Sequence, residues 1–167
     1  MNLKIKIKKL HPDAVIPKYT KPGDAGMDLT ATSKSHDDNG NTCYGTGLSF
    51  EIPDGYVGLL FPRSSNAKKD LLLSNSVGVL DSGYRGELMF KYKKSIRVPY
   101  FGTLKLLLSD LGVTNSLIVK NCVGEEYKIG ERIGQIIILP YPQIEFEEAE
   151  ELSDSERNTG GFGSSGT

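Results

Sequence analysis

The stretch LSFEIPDGYVGLLF, residues 48–61, decides the fold class of this chain. It contains two short runs rich in apolar residues, 48–52 and 56–61, on either side of the turn sequence PDG. Runs of this length bounded by proline, aspartate and glycine are typical of strands joined by a tight turn. Pro62 then ends the second run, because proline cannot donate a backbone hydrogen bond to a sheet. The stretch therefore predicts strand, turn, strand.

The same pattern recurs further along the chain. Residues 76–80 and 84–92 flank the turn sequence DSG, and residues 103–108 and 113–119 flank SDLG. These units predict two more hairpins. Residues 132–139 form one more apolar run, which predicts a strand closed by Pro140.

The N-terminus and the helical signals complete the fold prediction. Leu3, Ile5 and Ile7 alternate with lysines, which is the period of a strand with one solvated face. The only helical signal is a short turn over residues 64–69, with a serine as the candidate N-cap. With 19 Gly and 8 Pro between many short strands, the chain is predicted to be all-β: a sandwich, a jelly roll or a closed barrel.

Composition excludes several classes of function. The chain has 167 residues, 20 Lys+Arg against 21 Asp+Glu, and a formal net charge of -1, which fits one domain and disfavours general nucleic-acid binding. No apolar stretch is long enough for a signal peptide or a membrane span. The two cysteines, Cys43 and Cys122, form no C-x-x-C pair, so neither a disulfide framework nor a thiolate metal site is predicted. A reducing compartment is expected.

Beyond residue 142 the composition changes. Residues 145–156 contain seven acids, and residues 157–167 form a glycine-rich end with one arginine and one phenylalanine. By composition alone, these segments predict a solvated connector and a disordered tail.

Four other segments allow either a structural or a chemical interpretation. AGMDLTA, from Ala25, is either a plain strand or a site segment, and PRSS, from Pro62, is either a turn with a helix cap or a phosphate site. Asp81 is either a turn-former or a base. Arg132 and Gln135 would ordinarily be outward-facing polar positions on a strand.

Taken together and in order, these segments carry a resemblance. AGMDLTA from Ala25, PRSS from Pro62, NSVGVLDSGYRGEL from Asn75, GERIGQIIILP from Gly130 and RNTGGFGSSG from Arg157 resemble the five motifs of the trimeric dUTPase family. The third motif is the most specific of the five. The resemblance covers the chain from Ala25 to its last residues.

The resemblance implies a distorted jelly-roll β-barrel with only a short helix, and a homotrimer that exchanges its C-terminal glycine-rich arms. The implied organisation is a barrel domain over residues 1–142, an acidic connector over 143–156 and a closing arm over 157–167. Residues 93–126 would contain inserted hairpins, because the chain is about twenty residues longer there than compact members of the family. Such an exposed insertion is thermodynamically inexpensive. It would either extend the barrel rim or bind another protein.

The resemblance also implies a reaction: hydrolysis of dUTP to dUMP and diphosphate. Asp81 would orient and deprotonate the water that attacks the α-phosphorus, as an ionised carboxylate can. Mg²⁺, chelated mainly by the triphosphate, would offset its charge, and Asp28 would hold a metal-bound water. Cytoplasmic location, or host cytoplasm for a viral member, follows from the nucleotide-pool role, which keeps uracil out of DNA and supplies dUMP for thymidylate synthesis.

The remaining family positions would contact substrate. Arg63, Ser64 and Gln135 match phosphate-binding positions, Asn75 matches a uracil contact, and Tyr84 matches the ring that packs on the deoxyribose and disfavours UTP. In the arm, Phe162 would stack on the uracil, while Arg157 and Ser164 would reach the terminal phosphate. The full set of expected substrate-binding residues is Arg63, Ser64, Ser65, Asn75, Gly78, Val79, Leu80, Tyr84, Met89, Gln135, Arg157, Phe162, Gly163 and Ser164.

One departure from the family pattern lies in the arm, where Asn158 and Thr159 replace a glycine and a variable residue. Two other functions remain open at this point. One is a dCTP deaminase of the same superfamily, which the DSGY hairpin and the complete arm disfavour. The other is a nucleotide-sensing module whose insertion binds a protein partner.

Overall fold

The computed structural model describes residues 3–95 and 124–159. Within them lie ten strands and one short 3₁₀ helix, Ser64–Lys68. The strands are β1 (Lys6–Lys9), β2 (Met27–Thr30), β3 (Ser33–His36), β4 (Thr42–Gly45), β5 (Leu48–Glu51), β6 (Tyr56–Phe61), β7 (Leu71–Leu73), β8 (Gly78–Leu80), β9 (Met89–Lys94) and β10 (Arg132–Pro140). The prediction of an all-β chain with only a short helix is confirmed for these residues.

The ten strands form three antiparallel sheets. One sheet has two strands, β1 and β5; the second has the order β2-β10-β6-β8, and the third has the order β3-β4-β9-β7. Strand β10 pairs with β2 on one edge and with β6 on the other. The non-consecutive order means that the chain crosses between sheets, as expected of a jelly roll rather than of a meander.

The core lies between the sheets and is rich in aromatic residues. Tyr44 and Tyr92 are fully buried, and their rings meet edge to face with centroids 6.1 Å apart. Phe90 and Tyr92 alternate with exposed lysines along β9, which is the period of a strand with one buried face. The Tyr92 hydroxyl donates to the Ile133 carbonyl at 2.7 Å, so this buried polar group is satisfied.

Two predicted hairpins are wrong, although their strands and turns exist. Strands β5 and β6 flank the PDG turn but belong to different sheets, since β5 pairs with β1 and β6 pairs with β10 and β8. The DSG segment likewise joins β8 of one sheet to β9 of another. Local turn chemistry bends the chain in both places, but burial of apolar faces between sheets selects the strand partners.

The serine cap is also wrong, and three strands were not predicted. The N-cap position of the 3₁₀ helix is Arg63, which makes no side-chain cap hydrogen bond. The unpredicted strands are β3, β4 and β7, which are short, and β3 is fully exposed. Strands of three or four residues are too short to show a clear sequence period and are held by pairing with neighbours. The hairpins predicted at 103–108 and 113–119 lie outside the described residues.

The described residues on either side of 96–123 are tied to the barrel by one carboxylate. Glu126 contacts Lys34 Nζ at 2.5 Å and Lys94 Nζ at 2.7 Å, and its Oε1 lies 3.3 Å from His36 Nε2. Hydrogen bonds from the Lys34 and Lys94 ammonium groups hold the pKa of the Glu126 carboxyl well below its usual range. The Glu126 side chain is 19% exposed, so solvent screens these pairs only in part.

We expect Glu126→Gln to lower the thermal unfolding midpoint at pH 7. The variant loses charge-assisted hydrogen bonds that contribute about 1–3 kcal/mol to the free energy of unfolding. Because folding lowers this pKa, the stabilisation is fully present above the ordinary glutamate value of 4.5 and decreases as the pH falls below it. The difference in unfolding midpoint between wild type and Glu126→Gln should therefore become smaller as the pH is lowered. Thermal scans from pH 8 to pH 3 measure it.

Glu125→Gln is the matched control, because the Glu125 carboxylate is 73% exposed and lies 3.7 Å from its lysine partner. Its midpoint should stay close to that of the wild type at every pH. Equal midpoints for wild type and Glu126→Gln at pH 7 would contradict the assigned role of Glu126.

Candidate functional site

Three distant sequence segments meet at one end of the second sheet. Pairing of β2 with β10 sets Asp28 opposite Gln135, and pairing of β10 with β6 sets Gln135 opposite Phe61. Residues 62–68, here called the Arg63 turn, follow directly from β6 and include the 3₁₀ helix. The sheet therefore places AGMDLTA, PRSS and GERIGQ side by side, as the chemical interpretation of these segments requires.

An ion clamp centred on Asp28 fixes Arg63. Arg63 Nε donates to Asp28 Oδ1 at 2.7 Å, and Arg132 Nη1 donates to Asp28 Oδ2 at 2.9 Å. The Arg63 and Asp28 side chains are only about a quarter exposed, whereas Arg132 is half exposed. One carboxylate between two guanidinium groups leaves a local net charge of about +1, which favours an anion beside the clamp.

Side-chain hydrogen bonds fix the rest of the Arg63 turn. Gln135 Nε2 donates to the Pro62 carbonyl at 3.2 Å, and Arg63 Nη1 donates to Ser65 Oγ at 3.3 Å. The hydroxyl-bearing residues Ser64 and Ser65 are exposed. A side chain at Gly26 would meet the Gln135 amide oxygen, so the Gln135 side chain would have to shift from the position in which it holds Pro62. The exposed hydroxyls and the held guanidinium together can bind an oxyanion such as a phosphate.

The third segment, around Asp81, presents a strand edge that is free among the described strands. Strand β8 pairs with β6 through Gly78, Val79 and Leu80, and it is the last of the described strands in its sheet. An edge strand exposes backbone N–H and C=O groups that can pair with a ligand. Val79 is 64% exposed on this edge, while Gly78 and Leu80 are buried. Asn75 precedes the edge and is exposed.

Several hydrogen bonds shape the turn after Asp81. The Asp81 carbonyl accepts the Tyr84 N–H at 3.1 Å, and the Tyr84 hydroxyl donates to the Glu87 carbonyl at 3.1 Å. These bonds hold the Tyr84 ring, which is 47% exposed. A side chain at Gly86 would meet the Tyr84 hydroxyl at 2.3 Å, so glycine permits this packing. Asp81 itself is exposed.

Within one chain, Asp81 and Arg63 are not adjacent. Leu80 pairs with Gly58, whereas Arg63 follows Phe61 at the other end of β6. The strand rise separates Gly58 from Phe61 by about 10 Å, and Asp81 and Arg63 lie further out in opposite directions. Met89 lies in another sheet, opposite Gly45 of β4. The expected catalytic and phosphate-binding residues are thus present at two places on the same chain.

A partly buried network supports the start of the third segment and was not predicted. Asn41 is 6% exposed, and its Oδ1 accepts the Ser74 hydroxyl at 2.6 Å, one residue before Asn75. Asp37 accepts two hydrogen bonds from Asn41 Nδ2, and its Oδ2 also pairs with Lys91 Nζ at 3.1 Å. These Asn41 donors hold the pKa of the Asp37 carboxyl well below its usual range.

No pattern in the sequence pointed to these supporting residues. The Asp28 clamp joins a residue expected to hold a metal-bound water to Arg63, expected to bind phosphate, and to Arg132, expected to face outward. Asn41 lies in a polar turn that has no hydrophobic period. Such contacts depend on which strands become neighbours. Among residues 3–95 and 124–159, no group of three or more His, Cys, Asp or Glu side chains could hold a metal ion.

The C-terminal segment is described as far as residue 159. Residues 141–159 contain no strand or helix and are exposed. Asn158 has a φ of 42°, and its side chain accepts the Ser155 N–H at 3.0 Å, which closes a turn around Arg157. The expected contacts of Phe162, Gly163 and Ser164 lie outside the described residues. Over the described ranges, no helix has the length and apolar character to cross a membrane.

Comparison with known proteins identifies the relatives of this chain. The dUTPase family model matches residues 13–99 and 112–166. A deoxyuridine 5'-triphosphate nucleotidohydrolase of Rhodococcus erythropolis is 37% identical over 99% of this chain and 87% of its own length. The enzyme of the same name from Nautilia profundicola is 39% identical over 98% of this chain and 99% of its own length.

Solved structures agree with the sequence comparisons. The dUTPase of Staphylococcus bacteriophage 80alpha with dUPNHPP has a TM-score of 0.71 and is 28% identical, covering 99% of this chain and 100% of its own. This likeness confirms the predicted β-barrel architecture.

Proposed function

Because this chain belongs to the dUTPase family and is a dUTP diphosphatase, we propose that its Asp81 carboxylate activates the water that attacks the α-phosphorus of dUTP. The water loses its proton to Asp81, and its oxygen forms a bond to the α-phosphorus. The bond between the α-phosphorus and the bridging oxygen breaks, which releases dUMP and diphosphate. The exposed position of Asp81 after β8 supports this role, because the carboxylate is accessible to water.

The Asp28 clamp carries the phosphate part of the proposal. It holds the Arg63 guanidinium at 2.7 Å, so a phosphate chain meets a cation that is already oriented. Preorganised donors cost little reorganisation when charge develops on the phosphate oxygens. Ser64 and Gln135 border the same turn and would complete the set of donors. The proposed role of these groups is to place the α-phosphorus in line with the water.

The Asp28 carboxylate also fits an indirect role toward Mg²⁺. Each of its oxygens already accepts one N–H bond, from Arg63 or Arg132, so a remaining lone pair can accept a bond from a metal-bound water once the bound triphosphate offsets the positive charge of the clamp. Mg²⁺ keeps several waters and is usually held through substrate phosphates with few protein ligands. When bound, the ion would neutralise charge on the triphosphate.

The free edge of β8 supports selection of the base. Its outward-facing N–H and C=O groups can pair with the edge of a uracil ring, with Asn75 at its start. Tyr84 would pack on the deoxyribose, because its ring is exposed while its hydroxyl is held by Glu87. A 2′-hydroxyl would collide with that ring or lose its solvation, which disfavours ribonucleotides.

We further propose a homotrimer with shared active sites. The described part of one chain holds Arg63 and Asp81 at separate places, so a second copy must supply one of them. The exposed segment that follows β10 suits an exchanged arm, because Ile144 is 70% exposed and Phe146 is 93% exposed. Burying two such side chains on a neighbour would contribute about 3–6 kcal/mol. Phe162, Gly163, Ser164 and Arg157 of the arm would then close the site over the substrate.

The acidic segment also has a complementary surface. An apolar groove beside β1 is lined by Leu3, Ile5 and Tyr19, among other residues, and Lys4 also lines it. Strand β1 pairs only with β5 among the described strands, so its other edge can accept an added strand. Alternating Ile144, Glu145 and Phe146 would place apolar side chains toward the groove of a neighbour and a carboxylate toward its lysines.

The first prediction concerns Asp81. Asp81→Asn should lower kcat by about 10²–10⁴-fold, with the affinity for dUTP nearly unchanged, because it removes only the base. Steady-state diphosphate release and calorimetric binding measure the two quantities. Asp54→Asn, at the exposed PDG turn, is the matched control and should retain the wild-type kcat. An unchanged kcat for Asp81→Asn would remove this residue from its role.

The second prediction concerns substrate and metal. Diphosphate release should be confined to dUTP when dUTP, dCTP, dTTP and UTP are compared, with UTP at least about 10²-fold slower because of the sugar contact. Chelation with EDTA should abolish the release, and added Mg²⁺ should restore it. Comparable release from UTP would contradict the proposed role of Tyr84, and full activity in EDTA would contradict the Mg²⁺ requirement.

The third prediction tests the shared site. Arg63→Gln and Asp81→Asn should each be inactive, yet subunits unfolded together and refolded as a mixture should recover activity. Random assembly gives about one quarter of the sites both intact residues if they come from different subunits. A mixture of Asp81→Asn with Asp81→Ala is the control and should stay inactive. If one chain supplied both residues, the first mixture would remain as inactive as its components.

A further inference from the structure

Asn66 lies inside the Arg63 turn, two residues after Ser64, and is 8% exposed. Its Nδ2 donates to the Leu71 carbonyl at 2.6 Å, and its Oδ1 accepts the Tyr127 hydroxyl at 3.0 Å. Its backbone N–H donates to the Arg63 carbonyl at 2.9 Å. A buried amide with donor and acceptor both satisfied is costly to displace, because its groups would lose their partners.

Tyr127 links the Asn66 amide to the core. It is 2% exposed, its N–H donates to the Tyr44 hydroxyl at 2.9 Å, and its ring meets Tyr44 edge to face. Burial raises the pKa of the Tyr127 hydroxyl, so the group keeps the proton that it donates to Asn66. Asn66 thus connects the exposed Arg63 turn to the most buried aromatic residues of the barrel.

The C-terminal end of the turn rests on the same segment. The Lys69 N–H donates to the Asn66 carbonyl at 2.9 Å, and Lys69 Nζ lies 4.9 Å from the Tyr127 ring centroid. The Glu125 N–H donates to the Lys69 carbonyl at 2.7 Å. A side chain at Gly124 would meet the Asp70 carbonyl at 2.2 Å, so glycine allows this close approach. Residues 124–127 therefore hold the C-terminal end of the Arg63 turn in place.

We infer that Asn66 is a positioning residue for phosphate recognition, acting through its hydrogen bonds to Tyr127 and Leu71. The inference rests on the proposed function, in which Arg63 and Ser64 bind the phosphate chain. A five-residue 3₁₀ helix has little stability of its own, so its orientation depends on such outside contacts. A small misplacement of Arg63 and Ser64 would weaken contacts to the triphosphate, since catalytic alignment tolerates little displacement. The base and sugar contacts, which lie on β8 and the Tyr84 turn, would be unaffected.

The test compares two buried hydroxyls of one aromatic cluster. Tyr127→Phe removes the donor to Asn66, while Tyr92→Phe removes a hydroxyl that donates to Ile133 and makes no contact with the turn. Both variants should lose some thermal stability. Only Tyr127→Phe should weaken binding of the dUTP analogue dUpNHpp, by about fivefold or more, whereas binding of dUMP, which carries only the α-phosphate, should weaken much less. Titration calorimetry of the full-length protein with each nucleotide gives the two dissociation constants and their ratio.

Asn66→Leu removes both hydrogen bonds and should shift the same ratio further, with kcat/KM for dUTP falling in parallel. If this variant does not fold, the comparison of Tyr127→Phe with Tyr92→Phe still decides. If the ratio of the dissociation constants for dUpNHpp and dUMP were the same in wild type and Tyr127→Phe, the inference would be overturned and Asn66 would be a structural residue. A wild-type protein that neither binds dUpNHpp nor hydrolyses dUTP would instead overturn the proposed function.

Discussion

The backbone hydrogen bonds of β10, to β2 on one edge and to β6 on the other, bring together segments that lie about 75 to 110 residues apart in the chain. Their register sets Asp28 opposite Gln135 and places the Arg63 turn beside both. A shift of β10 by one residue would turn Gln135 to the opposite face of the sheet, away from Asp28 and the Arg63 turn. The buried side chains Ile133 and Ile136 oppose that shift, because it would expose them to water.

Partly buried carboxylates recur as the means by which this barrel fixes its loops. Asp28, Asp37 and Glu126 each contact cations or amide donors from different parts of the chain. A charge removed from water is stabilised only when such partners surround it, so each carboxylate specifies one arrangement of its loop. The net charge of -1 means that positive and negative charges nearly balance over the whole chain, and these three carboxylates act through local contacts.

Two separate pairs of residues support the proposed site. Asn41 and Ser74 hold the entry to the β8 edge, while Asn66 and Tyr127 hold the Arg63 turn. Separate supports allow the base-binding and phosphate-binding parts to be altered independently. They also agree with a site divided between subunits, where each chain must hold its own part in place before assembly. The arm that would close the site carries the entropy cost of ordering, which substrate contacts must offset.

The sequence by itself determined the all-β class, the strands β5, β6 and β10, the short turn after Pro62 and the family, because these depend on local period, turn chemistry and ordered motifs. The tertiary structure decided which strands pair, and it showed that the PDG and DSG turns join different sheets. It also decided that Asp28 holds Arg63 and Arg132, that Asn66 reaches Tyr127, and that Asp81 lies apart from Arg63 in one chain. The reason is physical: side-chain chemistry and backbone preference act over a few residues, whereas strand partners are selected by burial of apolar faces contributed by the whole chain.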